Sequence, residues 1–329
     1  MKAIAVTEIG MLSVVEDVPL PELSDGQVLV RMLAGGVCGS DLAKLDREIG
    51  RAGALRVIGH EGGGIVTEVG NGVESLRSGD LVVVEPNYVC FTCEWCRRGM
   101  SKGCVRRTVV GRDVPGLFSE FVSVPEPFAW KLPPDTSPEV FATFEAATVA
   151  RVAIDRMSIH DMDRVLVVGA GSQGASAVNI MVDRGIKPAV TDPHDARLQR
   201  AVDIGAYDAL AAPDSLFDVV FETSGTAKGL ETALLRSEKF GRVALIGQTH
   251  GAVPVSTRPI VQKELTVQGS VIYNHPGDFS QSLSELQIGR FEPAVGLREP
   301  VGPHQAVEDL GRARTFDGKM WISFTDWMQ

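Results

Sequence analysis

The sequence lacks the features of membrane-embedded and nucleic-acid-binding chains. It has no run of about 18 apolar residues, so we expect no membrane span. Lys plus Arg total 32 against 42 Asp plus Glu, a formal net charge of −10, whereas phosphate binding needs clustered cations. The first residues alternate like a strand and show no apolar signal-peptide core. We therefore expect a cytoplasmic protein whose partners include neither membrane nor nucleic acid.

Cysteine is also scarce, and its distribution argues against a disulfide framework. The chain has 5 cysteines, an odd number, and no secretion signal. Four of them follow the spacing C-x2-C-x2-C-x7-C, which lets a short loop fold four thiolates around one tetrahedral ion. This spacing predicts a structural zinc lobe at about residues 86–105, with iron–sulfur ligation as the alternative. The predicted ligands are Cys90, Cys93, Cys96 and Cys104.

The fifth cysteine, Cys38, lies in a glycine-flanked polar segment, and so does His60. Glycine is plentiful, 35 residues, and its clustering indicates tight turns and close backbone approach to ligands. A lone cysteine or histidine is more often part of a core. Together with nearby carboxylates, however, this thiol and this imidazole can form a second metal site that stays open to substrate.

A glycine fingerprint, G-x-G-x-x-G, follows the apolar run Arg164–Val168 and precedes a helical stretch from Ala175 to Arg184. Between a strand and a helix this loop is typical of a pyrophosphate site. The next strand ends at Asp192, whose carboxylate would accept ribose hydrogen bonds and repel a 2′-phosphate, so NAD is favoured over NADP. Arg197, five residues further on, would flank the adenine or serve a 2′-phosphate.

The pattern of elements changes along the chain. Residues 1–140 show short alternating segments rich in Gly and Pro, which predicts a β-rich domain. Further apolar runs at 217–222, 242–247 and 265–270 alternate with helical stretches, which predicts a doubly wound parallel sheet. The expected fold class is α/β.

These motifs, in this order, resemble the medium-chain, zinc-dependent alcohol dehydrogenase family, nearest to its sorbitol and threonine dehydrogenase-like branch. The resemblance covers nearly the whole chain. It implies a GroES-like catalytic domain over residues 1–145, a Rossmann NAD-binding domain over 146–273, and a return to the catalytic domain over 274–329. It also implies two zinc ions per chain and a homodimer or homotetramer, with the sheet edge near Gly269–Tyr273 as the expected contact.

By the same resemblance, Cys38 and His60 are ligands of a catalytic zinc, and Ser40 begins a proton relay. The third protein ligand corresponds either to Glu145 or to Glu61, and both are carried as candidates. Zinc would bind the substrate oxygen while NAD accepts the hydride. The expected cofactor-binding residues are Gly169, Gly171, Gln173, Gly174, Asp192, Arg197, Gly225, Ile246 and Ser270.

Several departures from the family pattern bear on the substrate. Ala43 stands where many members carry a histidine, which leaves Lys44 or solvent to complete the proton route. Lys44 and Ile272 replace a tyrosine and an arginine that polyol dehydrogenases often have. We expect an oxidoreductase acting on a secondary alcohol, namely a polyol, sugar or cyclitol-like hydroxyl. The alternatives are a zinc-free quinone or enone reductase and a non-catalytic dinucleotide-binding zinc protein.

Overall fold

The computed structural model of the chain describes residues 1–49, 53–249 and 251–328. It divides into two compact units. Unit 1 contains Met1–Glu145, Asn274–Leu283 and Leu297–Gln329, and unit 2 contains Ala146–Tyr273 and Ser284–Gly296. The chain after Tyr273 is therefore shared between the two units.

The secondary structure is listed here in chain order. The strands are β1 (Ala3–Val6), β2 (Leu12–Val15), β3 (Gln27–Gly36), β4 (Arg56–Val57), β5 (Glu61–Val69), β6 (Leu81–Val84), β7 (Asn87–Tyr88), β8 (Thr108–Val109), β9 (Phe121–Pro125), β10 (Ala129–Lys131), β11 (Val165–Val168), β12 (Ala189–Thr191), β13 (Tyr207–Asp208), β14 (Phe217–Glu222), β15 (Ser237–Leu245), β16 (Thr266–Gly269) and β17 (Trp321–Ser323). The helices are α1 (Gly39–Glu48), α2 (Glu94–Arg97), α3 (Pro138–Arg156), α4 (Ser172–Asp183), α5 (Asp195–Ile204), α6 (Ala227–Arg236), α7 (Arg258–Gln262), α8 (Gly277–Gln287) and α9 (Pro303–Leu310). Within the described ranges, no helix combines the length and apolarity that crossing a bilayer requires.

Unit 1 is built on antiparallel sheets, which confirms the predicted β-rich domain. Its largest sheet has the order β10-β6-β5-β3-β17, and β9 also pairs with β3. Strand β9 alternates between buried and partly exposed residues, as a strand with one face on a core does. That core includes Val30, Met32 and Phe118, all at most 1% exposed. The sheet fixes the register of β3 and β5, whose ends carry the site described below.

Unit 2 contains the predicted parallel sheet, in the order β13-β12-β11-β14-β15-β16. Strand β11 is buried along its whole length, as expected for a parallel strand covered on both faces. The strand order reverses between β11 and β14, so a crevice for a ligand opens at their carboxyl ends. Strand β15 starts at Ser237, earlier than the predicted start at residue 242.

The turn from β11 into α4 depends on two glycines. Gly169 has φ +97°, a left-handed conformation that favours glycine. A Cβ on Gly174 would lie only 1.9 Å from the carbonyl oxygen of Gly169, so any side chain there would push the helix off the strand. Gly171, in contrast, has φ −70° and no atom within 4 Å of the position a Cβ would take.

This difference predicts opposite effects of two alanine substitutions in one loop. Gly174→Ala should lower the free energy of unfolding by about 1–3 kcal/mol, since the new methyl group collides with backbone. Gly171→Ala should leave stability nearly unchanged. Urea unfolding of both variants beside the parent chain measures this, and equal losses would contradict the packing argument.

Candidate active site

The site in unit 1 lies where β3 ends and β5 begins. Gly36, the last residue of β3, pairs directly with Glu61, the first residue of β5. Cys38 follows β3 by two residues and stands at the N-cap of α1, and His60 immediately precedes β5. The antiparallel register therefore brings together two segments that are 22 residues apart in the sequence, from Cys38 to His60.

Three predicted metal ligands converge at this point. The ligand atoms of Cys38, His60 and Glu61 all lie within 4.8 Å of one another. A thiol, an imidazole and a carboxylate are a donor set that zinc accepts in catalytic sites. The residues present therefore fit a zinc ion. Glu145 does not belong to this close group, although it is also buried, at 5% exposed.

His60 is oriented by Asp41, a residue that sequence reasoning did not select for the site. The Nδ1 atom of His60 lies 2.8 Å from Oδ1 of Asp41, whose side chain is 1% exposed. Such a contact fixes the ring and leaves Nε2 for a metal. Burial alone would lower the pKa of His60, but Asp41 and Cys38, through charge and hydrogen bonds, raise it well above its usual value. Asp41 therefore determines both the orientation of the ring and its electrostatic surroundings.

A buried lysine, also missed from the sequence, balances the charge of the site. The Lys319 ammonium donates a short hydrogen bond to Oε2 of Glu61, and both side chains are at most 2% exposed. Burial lowers the pKa of Lys319, but the charges of Glu61, Cys38 and Glu145 outweigh it and raise the pKa above its ordinary value. No local motif marks this residue, because 258 positions separate it from Glu61.

Ser40 lies beside the ligand group and is exposed to solvent. Its Oγ donates a hydrogen bond to Sγ of Cys38 at 3.4 Å and lies 3.5 Å from Nε2 of His60. It is the second residue of α1, whose N-cap residue is Cys38, so the start of this helix positions both the thiol and the hydroxyl. The hydroxyl is therefore the polar group that an entering ligand would meet beside the metal ligands.

The four remaining cysteines form a second cluster, in the predicted lobe. Their sulfur atoms lie within 4.8 Å of one another. Cys90 also receives a hydrogen bond from the guanidinium of Arg106 at 3.4 Å. A backbone hydrogen bond at Thr92 is the main factor that lowers the pKa of Cys90 to about 5, so this sulfur is prepared as a thiolate. Four convergent sulfurs fit a closed, structural zinc site.

The glycine loop of unit 2 is held by Asp192. Its Oδ2 accepts a hydrogen bond from the backbone nitrogen of Ala170 at 2.7 Å, and its Oδ1 accepts one from His194 at 2.8 Å. Asp192 therefore lies beside the loop at the end of β12, next to the N-terminus of α4. A helix start with open space at Gly171 and a carboxylate nearby fits a dinucleotide.

The other residues predicted to bind the cofactor have differing surroundings. Gln173 donates to the carbonyl of Ala146 at 3.1 Å, and its Oε1 is buried without a hydrogen-bond partner in the described structure. Such an orphaned acceptor suits a donor group supplied by a ligand. Ser270 is buried and receives a 2.6 Å hydrogen bond from Arg156. Arg197 lies in the first turn of α5.

Gly225 and Ile246 lie near the carboxyl ends of β14 and β15. Gly225 has φ +64°, and its nitrogen is 3.1 Å from Oε1 of Glu222. The backbone nitrogen of Ile246 donates to the carbonyl oxygen of Glu222 at 2.9 Å. Burial is the main cause that raises the pKa of Glu222. This carboxyl group, which sequence reasoning did not select, shapes the loop that carries Gly225.

Comparisons with known proteins agree with this geometry. Residues 24–134 match the model of the alcohol dehydrogenase GroES-like domain, and residues 174–287 match that of the zinc-binding dehydrogenase. The chain is 32% identical over 288 residues to an L-threonine 3-dehydrogenase of Pyrococcus horikoshii, covering 82% of each protein. The chain belongs to the zinc-type alcohol dehydrogenase family.

Two further relatives from Escherichia coli extend the comparison over almost the whole chain. A galactitol 1-phosphate 5-dehydrogenase of strain K12 is 29% identical, with 95% of this chain and 97% of that protein covered. An alcohol dehydrogenase of strain CFT073, solved with NADH, has a TM-score of 0.87 at 28% identity, covering 98% of this chain and 99% of that one. The resemblance to the sorbitol and threonine dehydrogenase-like branch is confirmed, and the protein is a zinc-type oxidoreductase of that branch.

The buried pair of Lys319 and Glu61 yields a prediction on stability. Lys319→Met should lower the free energy of unfolding by about 3–5 kcal/mol, because a buried carboxylate loses its counter-charge. Lys319→Arg, which keeps the positive charge, should lower the free energy of unfolding much less. Urea unfolding measures these changes, with the zinc content of each variant determined in parallel.

The double variant Lys319→Met/Glu61→Gln serves as the control for charge. It should recover most of the stability that Lys319→Met loses, because no unpaired charge remains at Glu61. Equal losses in the single and double variants would mean that Lys319 contributes packing alone.

Proposed function

We propose that this enzyme oxidises a secondary alcohol, a polyol, sugar or cyclitol-like hydroxyl, or reduces the corresponding carbonyl. The convergence of Cys38, His60 and Glu61 within 4.8 Å carries this proposal. When bound, zinc supplies Lewis acidity toward the substrate oxygen and NAD supplies the hydride acceptor. Relatives named as sorbitol and galactitol 1-phosphate 5-dehydrogenases support a substrate of the polyol type.

The residues of unit 1 would orient the alcohol and move its proton. Asp41 holds His60 in one orientation, which keeps Nε2 directed at the ligand group. The hydroxyl of Ser40, exposed and 3.5 Å from that nitrogen, would accept a hydrogen bond from the substrate hydroxyl and pass its proton toward solvent. Glu61 is the third candidate ligand within reach, and Glu145 remains the alternative.

The residues of unit 2 would hold the cofactor. Asp192 would accept hydrogen bonds from the ribose, and the start of α4 would face the pyrophosphate. We expect the orphaned Oε1 of Gln173 to accept a hydrogen bond from the cofactor, since no described protein group satisfies it.

We further propose that the enzyme forms a homo-oligomer through the edge of the parallel sheet. Strand β16 lies at that edge, and all 4 of its residues are exposed. An exposed edge strand presents unpaired backbone groups that a second copy can pair with.

The zinc assignment predicts the outcome of removing one ligand. His60→Ala should reduce zinc from two ions to one per chain and turnover to background, because the site loses its imidazole. NAD affinity should change little, whereas thermal stability should fall, because the buried Asp41 loses its partner. Zinc analysis, calorimetric NAD titration and initial rates measure these effects.

His304, an exposed histidine of unit 1, provides the matched control, and His304→Ala should retain both ions and full activity. The same zinc analysis of Glu61→Gln and Glu145→Gln identifies the third ligand. It is the glutamate whose substitution removes one zinc ion per chain. Retained turnover in His60→Ala would instead favour the zinc-free reductase.

The cofactor assignment predicts a change in nucleotide preference. Asp192→Ala should weaken NAD binding about tenfold or more, since a hydrogen bond to a charged group is lost. It should also raise the relative use of NADP, because the 2′-phosphate is no longer repelled. Asp195→Ala, which removes an exposed carboxylate nearby, should change neither the NAD affinity nor the relative use of NADP. An unaltered preference in Asp192→Ala would refute the ribose role.

A further inference from the structure

Unit 1 contains a cavity of about 1100 Å³ whose charged lining is mainly cationic. Lys44, Arg56 and Arg112 line it, and Asp113 is the one acidic side chain among the described residues of its wall. The whole chain carries a formal net charge of −10, so the positive charge of this lining is opposite in sign to that of the chain. A cleft lined by one sign of charge attracts ligands of the opposite sign.

Lys44, a residue of the cavity wall, lies about one helical turn from Ser40 of the proposed reaction site. Lys44 follows Ser40 by four residues on α1, so the two side chains lie on the same face, about 5–6 Å apart at Cβ. Ser40 in turn lies 3.5 Å from Nε2 of His60. A substrate whose hydroxyl meets Ser40 therefore needs to extend by only a few carbons to bring its other end to Lys44.

Lys44 also has hydrogen-bonding capacity for a ligand. Its side chain is half-buried, and the hydrogen bond described for its Nζ, to the carbonyl of Gly111, is long at 3.4 Å. An ammonium group has three donors, so this bond leaves capacity for further partners. The apolar wall, which includes Leu117 and Val57, limits screening by water.

The acidic residue of the wall offsets only part of this charge. Asp113 forms an ion pair with the adjacent Arg112, whose guanidinium nitrogen lies 2.8 Å from Oδ2. The same Oδ2 accepts a hydrogen bond from the backbone nitrogen of Val109 at 2.8 Å. Its charge is thus engaged mainly by Arg112 and the Val109 backbone, and Lys44 contributes less. Among the side chains of the lining, three cations and one carboxylate leave a net of two positive charges.

We propose that the cavity binds the acidic end of the substrate, so that the preferred alcohol carries a carboxylate or phosphate group a few carbons from the reacting hydroxyl. Lys44 is the specificity-determining contact. The inference rests on the proposed function, since it places the reacting hydroxyl at Ser40. It differs from a role of Lys44 in the proton route, because that role would affect kcat for every substrate.

Binding of three matched probes tests the inference. Sorbitol, sorbitol 6-phosphate and gluconate share a six-carbon chain, and the last two each carry an anionic group. Titration calorimetry of the zinc- and NAD-loaded enzyme should show at least one acid binding about tenfold or more tighter than sorbitol. The two acidic arms distinguish phosphate from carboxylate recognition.

Variants of Lys44 provide the decisive comparison. Lys44→Gln should remove the advantage of the acid while leaving the affinity for sorbitol unchanged, and Lys44→Arg should restore part of it. Lys187→Gln, at an exposed lysine of unit 2, should have no effect. Failure of both acids to bind better than sorbitol, or an advantage that survives Lys44→Gln, would overturn the inference.

Initial rates separate this result from the function proposed above. Acid binding that depends on Lys44, without turnover of any alcohol, would support the anion site and refute the dehydrogenase substrate assignment. Turnover of sorbitol without a Lys44-dependent preference for acids would support the dehydrogenase assignment and refute the anion site. A fall in kcat for all three probes in Lys44→Gln would assign Lys44 to the proton route instead.

Discussion

The close approach of three strands at Gly36 is the constraint on which the metal site depends. Gly36 pairs with Glu61 on one side and with Trp321 on the other. A Cβ at this position would lie 2.0 Å from the carbonyl oxygen of Ala142 and 2.4 Å from Oε2 of Glu61. The absence of a side chain therefore lets the thiol, the carboxylate and the buried lysine reach one place from different parts of unit 1.

That meeting point gathers more negative than positive groups. Cys38, Glu61 and Glu145 all act electrostatically on the single ammonium of Lys319. Buried charges are costly unless they are compensated, and one lysine compensates only part of this set. A divalent cation with thiolate, imidazole and carboxylate ligands would complete the balance of charge.

The features that were predictable from sequence are those encoded by short spacings. The four cysteines of the lobe and the glycine loop lie within single segments, and the turns they require restrict the residues that fit. The α/β fold followed from the change in pattern near residue 140. The contact between Asp41 and His60, in contrast, depends on the register of β3 and β5, and the pairing of Lys319 with Glu61 depends on tertiary structure alone. The grouping of Ser284–Gly296 with unit 2 is likewise a matter of packing that periodicity does not encode.

The position of Lys319 along the chain has a consequence for biosynthesis. Lys319 is the 258th residue that the ribosome adds after Glu61, so the nascent chain carries the thiol and both carboxylates long before their counter-charge exists. Until then, strand β17 is also missing from the edge of β3. The site is thus assembled among the last parts of unit 1, and a chain truncated before Lys319 would lack the counter-charge of this acidic pocket.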